Sequence, residues 1–362
     1  MQIIADRRAL HRVPELDRNL PKTMEYLRKA LENLNCKVFS PMEGALCAYF
    51  DFGASSAIAF RSDADALPIT ERSEAEYASC HPGKMHACGH DGHMAMALEL
   101  ARRLDGKQGM KRNVLIVFQP AEETTGGAKD LCDTGIFTLY NVEAIFGMHL
   151  WPGVEAGVVY SRCNEMMSRS CEVKVEITGK SAHIAKAHEG IDAMAAGVEF
   201  YTKARAMEQD LPSHIYRILN FGTFCSGAVC NAVSGSTRLA GSLRAFQDEV
   251  FFSLRTGLLE IGAEVEKNTG CTVKISLGDG YPAVLNPTDL YEKVKAMVPF
   301  RELEAPSMIT EDFSWYQRSL PGLFFFLGAG DGPALHSENF DFPEEILMKG
   351  AAFFERIAEA YQ

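Results

Sequence analysis

The 362-residue chain has no C-x-x-C pair, no cluster of lysine and arginine, no long apolar run, and no internal repeat or low-complexity linker. Each absence excludes a class. Ten cysteines scattered without regular spacing are expected as reduced thiols and not as a disulfide framework. A formal net charge of −12 without any basic run argues against nucleic acid or an anionic membrane as partner, since both need clustered cations. A membrane-spanning helix needs about 20 consecutive apolar residues, and no segment qualifies. The first residues carry a charged helical pattern and neither a secretory nor a transit signal, so a cytoplasmic location is expected.

The bulk of the chain is ordinary for a globular protein, 47% hydrophobic and 23% charged, with ample material for a core. Its length exceeds the usual size of one core, so two domains are expected. Helical spacing of apolar residues appears at 5–11 and 22–34, where Leu27, Ala30, Leu31 and Leu34 line one face. Strands are expected at 46–50, 57–60, 113–118 and 142–148, with helices at 93–104 and 128–134 between them. That alternation describes an α/β domain with a mixed, largely parallel sheet and helices on both faces. The middle differs: strand 171–177, helix 191–207, strands 215–224 and 236–245, helix 248–268 and strand 271–277. The βαββαβ order predicts an inserted α+β, ferredoxin-like domain with both helices on one face. Strand 323–327 and helix 344–361 then return to the first domain. The expected division is a discontinuous catalytic domain, 1–168 and 286–362, around an insert at 169–285.

One stretch stands out: Met85-His86-Ala87-Cys88-Gly89-His90-Asp91-Gly92-His93 packs three imidazoles, a thiol and a carboxylate into nine residues. Imidazole and thiolate suit a borderline-soft metal, and glycine lets close neighbours converge on one ion. By itself the cluster could also be a structural zinc knot, an oxidation-sensitive loop or a Cys/His nucleophilic pair. Other segments change the balance. The strand at 114–118 runs into the adjacent carboxylates Glu122 and Glu123, the strand ending at Met148 delivers His149, and His336 follows a Gly/Pro-rich loop. In open α/β sheets ligands bind beyond the carboxyl ends of the strands. Cys88, His90, Glu123, His149 and His336 would supply thiolate, imidazole and carboxylate to a pair of ions that polarise a carbonyl and acidify a shared water. Glu122, pointing to the other side of the strand end, would be the free acid/base. His11, His81 and His214 have no comparable company and read as hydrogen-bonded loop residues.

The segments RRALHRVPEL, RSDADALP, MHACGHDGHMA, FQPAEE, GMHLWP, GKSAHIAKAHEGIDA, CNAVSGSTRLAGSLRAF, EDFSWY and LHSENFDF run nearly end to end. Together they resemble the metal-dependent N-acyl-amino-acid amidohydrolases, the group of aminoacylases, hippurate hydrolases, N-acetyl-diaminopimelate deacetylases and auxin-conjugate hydrolases. The resemblance implies a dinuclear site of Mn²⁺, Zn²⁺, Co²⁺ or Ni²⁺ on Cys88, His90, Glu123, His149 and His336, with Glu122 as catalytic acid/base. It implies a small-molecule N-acyl-amino acid substrate and a homodimer formed through the inserted domain, with His183 reaching the partner's site to bind the oxyanion. By the same route Asn231 and Arg244 are expected on the substrate's α-carboxylate, Arg offering a planar bidentate fork. Asp63 and Asp65 are expected either behind a metal-bound imidazole or capping a turn. Glu311 and Asp312 read as a helix start as readily as a site. Phe221, Phe224, Trp315 and Tyr316 read as core or as an apolar pocket.

The chain departs from the family pattern at Ala187, and at Cys230 and Ser234, where prolines are usual. Within the class, a metallo-dipeptidase with the same centre is the alternative. From other classes, Cys88 could act as a nucleophile with His90 or His93 as base, or the chain could bind an acyl-amino acid without turning it over.

Overall fold

The computed structural model describes residues 1–362. Along the chain run α1 (Gln2–His11), α2 (Pro21–Leu31), β1 (Lys37–Phe39), β2 (Leu46–Phe50), β3 (Ala57–Asp63), α3 (His90–Leu104), β4 (Asn113–Gln119), α4 (Gly127–Asp133), α5 (Ile136–Leu139), β5 (Val142–Pro152), β6 (Val159–Ser161) and β7 (Asn164–Met167). There follow β8 (Arg169–Thr178), α6 (Ala193–Gln209), β9 (Arg217–Ser226), β10 (Ser236–Ala245), α7 (Asp248–Thr269) and β11 (Thr272–Leu277). The last are β12 (Val284–Asn286), α8 (Thr288–Met297), β13 (Arg301–Glu302), α9 (Ser314–Gln317), β14 (Gly322–Gly330) and α10 (Leu347–Ala360). Two compact units result: residues 1–166, 285–306 and 312–362, and residues 167–284 with 307–311.

The larger unit holds an eight-stranded sheet in the order β1-β2-β4-β3-β5-β14-β6-β13. Its four central strands, β4, β3, β5 and β14, are mutually parallel, while β1 and β2 join antiparallel at one edge. Every residue of β3 and β4 is buried, as expected of strands covered on both faces. The chain passes from β3 to β4 on one side and then to β5 on the other, so a crevice opens at the carboxyl end of β3. Helix α3 packs over that sheet with 12 of its 15 residues buried.

The smaller unit is a four-stranded antiparallel sheet, β11-β8-β10-β9, with α6 and α7 packed on it. The order is that of the ferredoxin-like fold. Along β8 the residues alternate, Cys171, Val173, Val175 and Ile177 inward and Glu172, Lys174 and Glu176 outward, because only one face is covered. Asp192 caps α6, its carboxylate accepting from the N–H groups of Met194 and Ala195 at 2.9 and 3.2 Å. The fold class expected from the alternation of elements is the one observed.

Several boundaries differ from the sequence reading. Helix α3 begins at His90 and not at His93, because Gly89 turns the chain at φ +87° and leaves His90 in the first turn. Strand β5 runs through Pro152, so His149 lies within the strand, paired with Phe326 of β14. The ten-residue helix α8 was not expected, nor were the short strands β1, β6 and β13. Two- to four-residue elements carry too little periodicity to be read.

Candidate metal centre

Three chain segments of the larger unit converge beyond the carboxyl ends of its central strands: the turn into α3, the turn after β4 and the end of β5. His336 joins them from the loop after β14. The Sγ of Cys88 lies 3.3 Å from Nε2 of His149. Nε2 of His336 is 3.3 Å from Oε1 of Glu123, and Nε2 of His90 is 3.8 Å from the same oxygen. Two triads of donor atoms, each within 4.8 Å, share the thiol: Cys88, His90 and His149, and Cys88, Glu123 and His336. Glu122 completes a third such group with His90 and Glu123.

Hydrogen bonding fixes which ring nitrogens are available. His90 gives its Nδ1–H to the carbonyl of Asp65 at 2.7 Å, and His149 gives its own to the carbonyl of Leu150 at 2.6 Å. Both Nε2 atoms are therefore left with lone pairs, the arrangement that backbone acceptors impose on metal-binding histidines. Nε2 of His90 is buried without any hydrogen-bond partner. His93, the third histidine of the motif, is different. Its Nδ1 bonds Asp63 at 2.5 Å and its Nε2 accepts the N–H of Leu150 at 2.9 Å, so neither nitrogen remains for an ion.

The electrostatics point the same way. Burial, with the Glu123 and Glu122 carboxylates beside it, pushes the Cys88 thiol well above its usual range. Burial and then Glu123 push the Asp65 carboxyl well up. Burial lowers His90 and takes His149 well down, so both imidazoles are neutral. Burial raises Glu123, but its hydrogen bond to His336 and the nearness of His90 more than offset that and leave it lowered. Neutral imidazoles, a thiol and crowded buried carboxylates, with an orphaned imidazole nitrogen among them, fit a divalent cation.

The supports of the site are local. Asp65 accepts the backbone N–H of Glu122 at 3.0 Å and of Glu123 at 3.2 Å, so its carboxylate holds the turn that presents both. That turn starts at Ala121, which sits at φ +58°, an uncommon backbone for alanine. Gly127 opens α4 where a Cβ would meet the Pro120 carbonyl oxygen at 2.0 Å. Below it, Arg61 bonds Gln119, Asp63 and Asp312 at 2.7–2.8 Å, and Tyr316 donates to Gln119 at 2.8 Å. Asp312 thus belongs to a buried network and is not a bare helix start, and Tyr316 is core. Asp63 serves His93, and Asp65 reaches His90 through its backbone carbonyl. The roles of these groups depend on which atom faces which, and residue type alone does not carry that. His11 is buried rather than a loop residue, bonding Asp91 at 2.8 Å and Glu71 at 3.2 Å.

The remaining residues lie in the smaller unit. His183 is exposed, and its Nδ1 accepts the N–H of Ala185 at 3.2 Å, which leaves the proton on Nε2. Its neighbour Ile184 bonds the carbonyl of Asn231 at 2.9 Å, and Asn231 is exposed too. Arg244, half-buried on β10, donates to the carbonyl of Met308 and has no carboxylate partner. Burial alone lowers its pKa. Phe224 is exposed on β9.

Residues 59–360 match the model of peptidase family M20/M25/M40. An uncharacterized hydrolase of Staphylococcus aureus (strain USA300) is 32% identical over 373 aligned residues, 98% of this chain and 97% of its own. A structure from methicillin-resistant Staphylococcus aureus, provisionally described as an aminohydrolase, superposes with a TM-score of 0.91 at 26% identity, covering 99% of this chain and 96% of that one. The YXEP protein of Bacillus subtilis, described as a dinuclear metal-binding peptidase of the M20 family, superposes with a TM-score of 0.86 at 26% identity over the same shares.

Proposed function

The chain belongs to peptidase family M20/M25/M40, and from that premise we propose that it is a two-metal amidohydrolase cleaving an N-acyl-amino acid into amino acid and carboxylic acid. The observation that carries the reading is the pair of donor triads sharing Cys88. Cys88, His90, Glu123, His149 and His336 hold the ions, which are Mn²⁺, Zn²⁺, Co²⁺ or Ni²⁺, since such mixed donors accept several. When bound, the ions polarise the amide carbonyl and lower the pKa of water.

The protein's own groups do the proton work. Glu122, 7% exposed and held by Asp65 through its backbone N–H, removes a proton from the attacking water and delivers it to the leaving amine nitrogen. The partner subunit's His183 donates its Nε2–H to the developing oxyanion, an interaction worth roughly 3 kcal/mol. Arg244 and Asn231 bind the α-carboxylate, and a half-buried guanidinium without a carboxylate of its own suits that task.

The homodimer forms through the smaller unit. Strand β9 is the unpaired edge of its sheet and exposes Ile218 and Phe224, while α6 beside it exposes Met194, Val198 and Tyr201. An apolar edge of this kind requires cover. The other edge, β11, exposes Thr272, Lys274 and Ser276 instead.

The test is amine release from N-acetyl-, N-benzoyl- and longer-chain acyl-amino acids, with Gly-Leu in parallel, after chelation and again after adding Mn²⁺ or Zn²⁺. Metal-restored cleavage of the acylated substrates is expected. Cleavage of Gly-Leu alone would replace this reading with a dipeptidase. Activity indifferent to chelation and abolished by iodoacetamide would replace it with a Cys88 nucleophile.

A further inference from the structure

The sequence RRALH, near the start of the chain, takes part in no step above, yet its first residue, Arg7, is among the largest fully buried side chains of the molecule at 1% exposed. Its guanidinium uses all three nitrogens on carboxylates: Nε to Asp91 at 2.8 Å, Nη2 to Asp341 at 2.8 Å and Nη1 to Glu344 at 3.2 Å. Its Cζ lies 4.5 Å from the centroid of the Tyr77 ring and 4.6 Å from that of Phe342. The Tyr77 hydroxyl donates to the second oxygen of Asp341 at 2.8 Å. A guanidinium so enclosed defines the positions of its partners, since its donor fork is planar and rigid.

Those partners carry the two halves of the metal centre. Asp91 follows His90 in the first turn of α3. Asp341 lies near the end of the irregular segment 331–343 on which His336 sits, and Glu344 follows directly after it. That segment is also tied down by the N–H of Arg72, which donates to the Glu338 carbonyl at 2.8 Å. His336 is at φ +65°, a strained backbone for histidine, and its side chain is about half exposed, at 51%. Its own N–H bonds the Ala87 carbonyl at 2.8 Å. Phe340 and Phe342 are buried against the turn at Gly89 and Gly92, where a Cβ would meet Phe340 at 3.5 Å and Phe342 at 2.8 Å. A strained conformation persists only where its surroundings over-determine it.

We propose that Arg7 is a positioning residue for the dinuclear centre. By clamping Asp91 to Asp341 and Glu344 it sets His336 relative to His90, and so completes the Cys88–Glu123–His336 triad. Arg7 touches neither ion nor substrate. The inference rests on the two-metal reading above, and it assigns the ion that depends on the clamp.

The experiment is a calorimetric titration of the chelated full-length protein with Mn²⁺, on wild type, Asp341→Asn, Arg7→Met and the distant core variant Leu27→Ala. Apoprotein melting is followed in parallel. Asp341→Asn removes the loop's charge while leaving Arg7 on Asp91, so it guards against a variant that fails to fold. Wild type is expected to bind two equivalents. Asp341→Asn and Arg7→Met should keep one equivalent near wild-type affinity and weaken the other by about tenfold or more, the scale seen for groups that orient ligands. Leu27→Ala should lower the melting temperature yet bind both equivalents normally. Two wild-type-like equivalents in Asp341→Asn, or equal weakening of both in it and in Leu27→Ala, would overturn the positioning role while leaving the metal centre intact. Fewer than two equivalents on wild type would overturn the dinuclear reading and this inference with it.

Discussion

Among the histidines of the MHACGHDGH stretch, hydrogen bonds separate ligand from support more sharply than spacing does. His90 and His149 each spend one nitrogen on a backbone carbonyl and keep the other, whereas His93 spends both. His86 is buried and burial takes it down to about 3, so it stays neutral. The same logic separates the adjacent glutamates, since Oε1 of Glu123 faces His90 and His336 while Glu122 is assigned the proton transfer. Glu122→Gln should therefore retain both metals by elemental analysis and lose on the order of 10²–10⁴ in turnover. His149→Ala should lose metal and turnover together. Near-normal turnover in metal-replete Glu122→Gln would remove Glu122 from the mechanism.

The contact between α1 and α3 is ionic where it approaches the site. Burial pushes the His11 imidazole down, but the Asp91 carboxylate, the hydrogen bond to it and the one to Glu71 outweigh burial, and its pKa stands at about 9. Arg7, Tyr77 and His86 also face this ring. Because the folded-state value exceeds the ordinary 6.5, the imidazolium's stabilisation is complete below pH 6.5 and fades as pH rises through about 9. The contribution is up to roughly 3 kcal/mol. Unfolding of the apoprotein at pH 6 and pH 9.5 should show wild type losing more stability than His11→Gln over that interval. An identical loss in the two proteins would mean that His11 is not charged in the fold.

At the scale of the whole molecule, the chain divides its labour between a sheet buried on both faces and a sheet buried on one. The first brings donors to the ends of parallel strands, and the second leaves an apolar edge at β9 and α6. Val198, 54% exposed on α6, belongs to that edge. Val198→Glu should convert the proposed dimer to a monomer in sedimentation without changing the circular dichroism, because the side chain is exposed and supports no core of its own subunit. An unchanged sedimentation coefficient would place the interface elsewhere.

The sequence by itself determined the fold class and the donor inventory. Alternation of long elements, period two in β8 and near-continuous apolar runs in β3 and β4 are consequences of burial on one face or two, and burial is written in residue type. The ligand candidates were legible because thiol, imidazole and paired carboxylates stood at strand ends or among glycines. What only the tertiary structure decided is which atom faces which. Asp65 turned out to hold two backbone N–H groups, His93 to be spent, Asp312 and Tyr316 to be bound into the Arg61 network, and Arg7 to bond carboxylates more than 300 residues away in sequence. Hydrogen-bond direction and long-range ion pairing depend on ångström placement of side chains, and local periodicity carries no record of that.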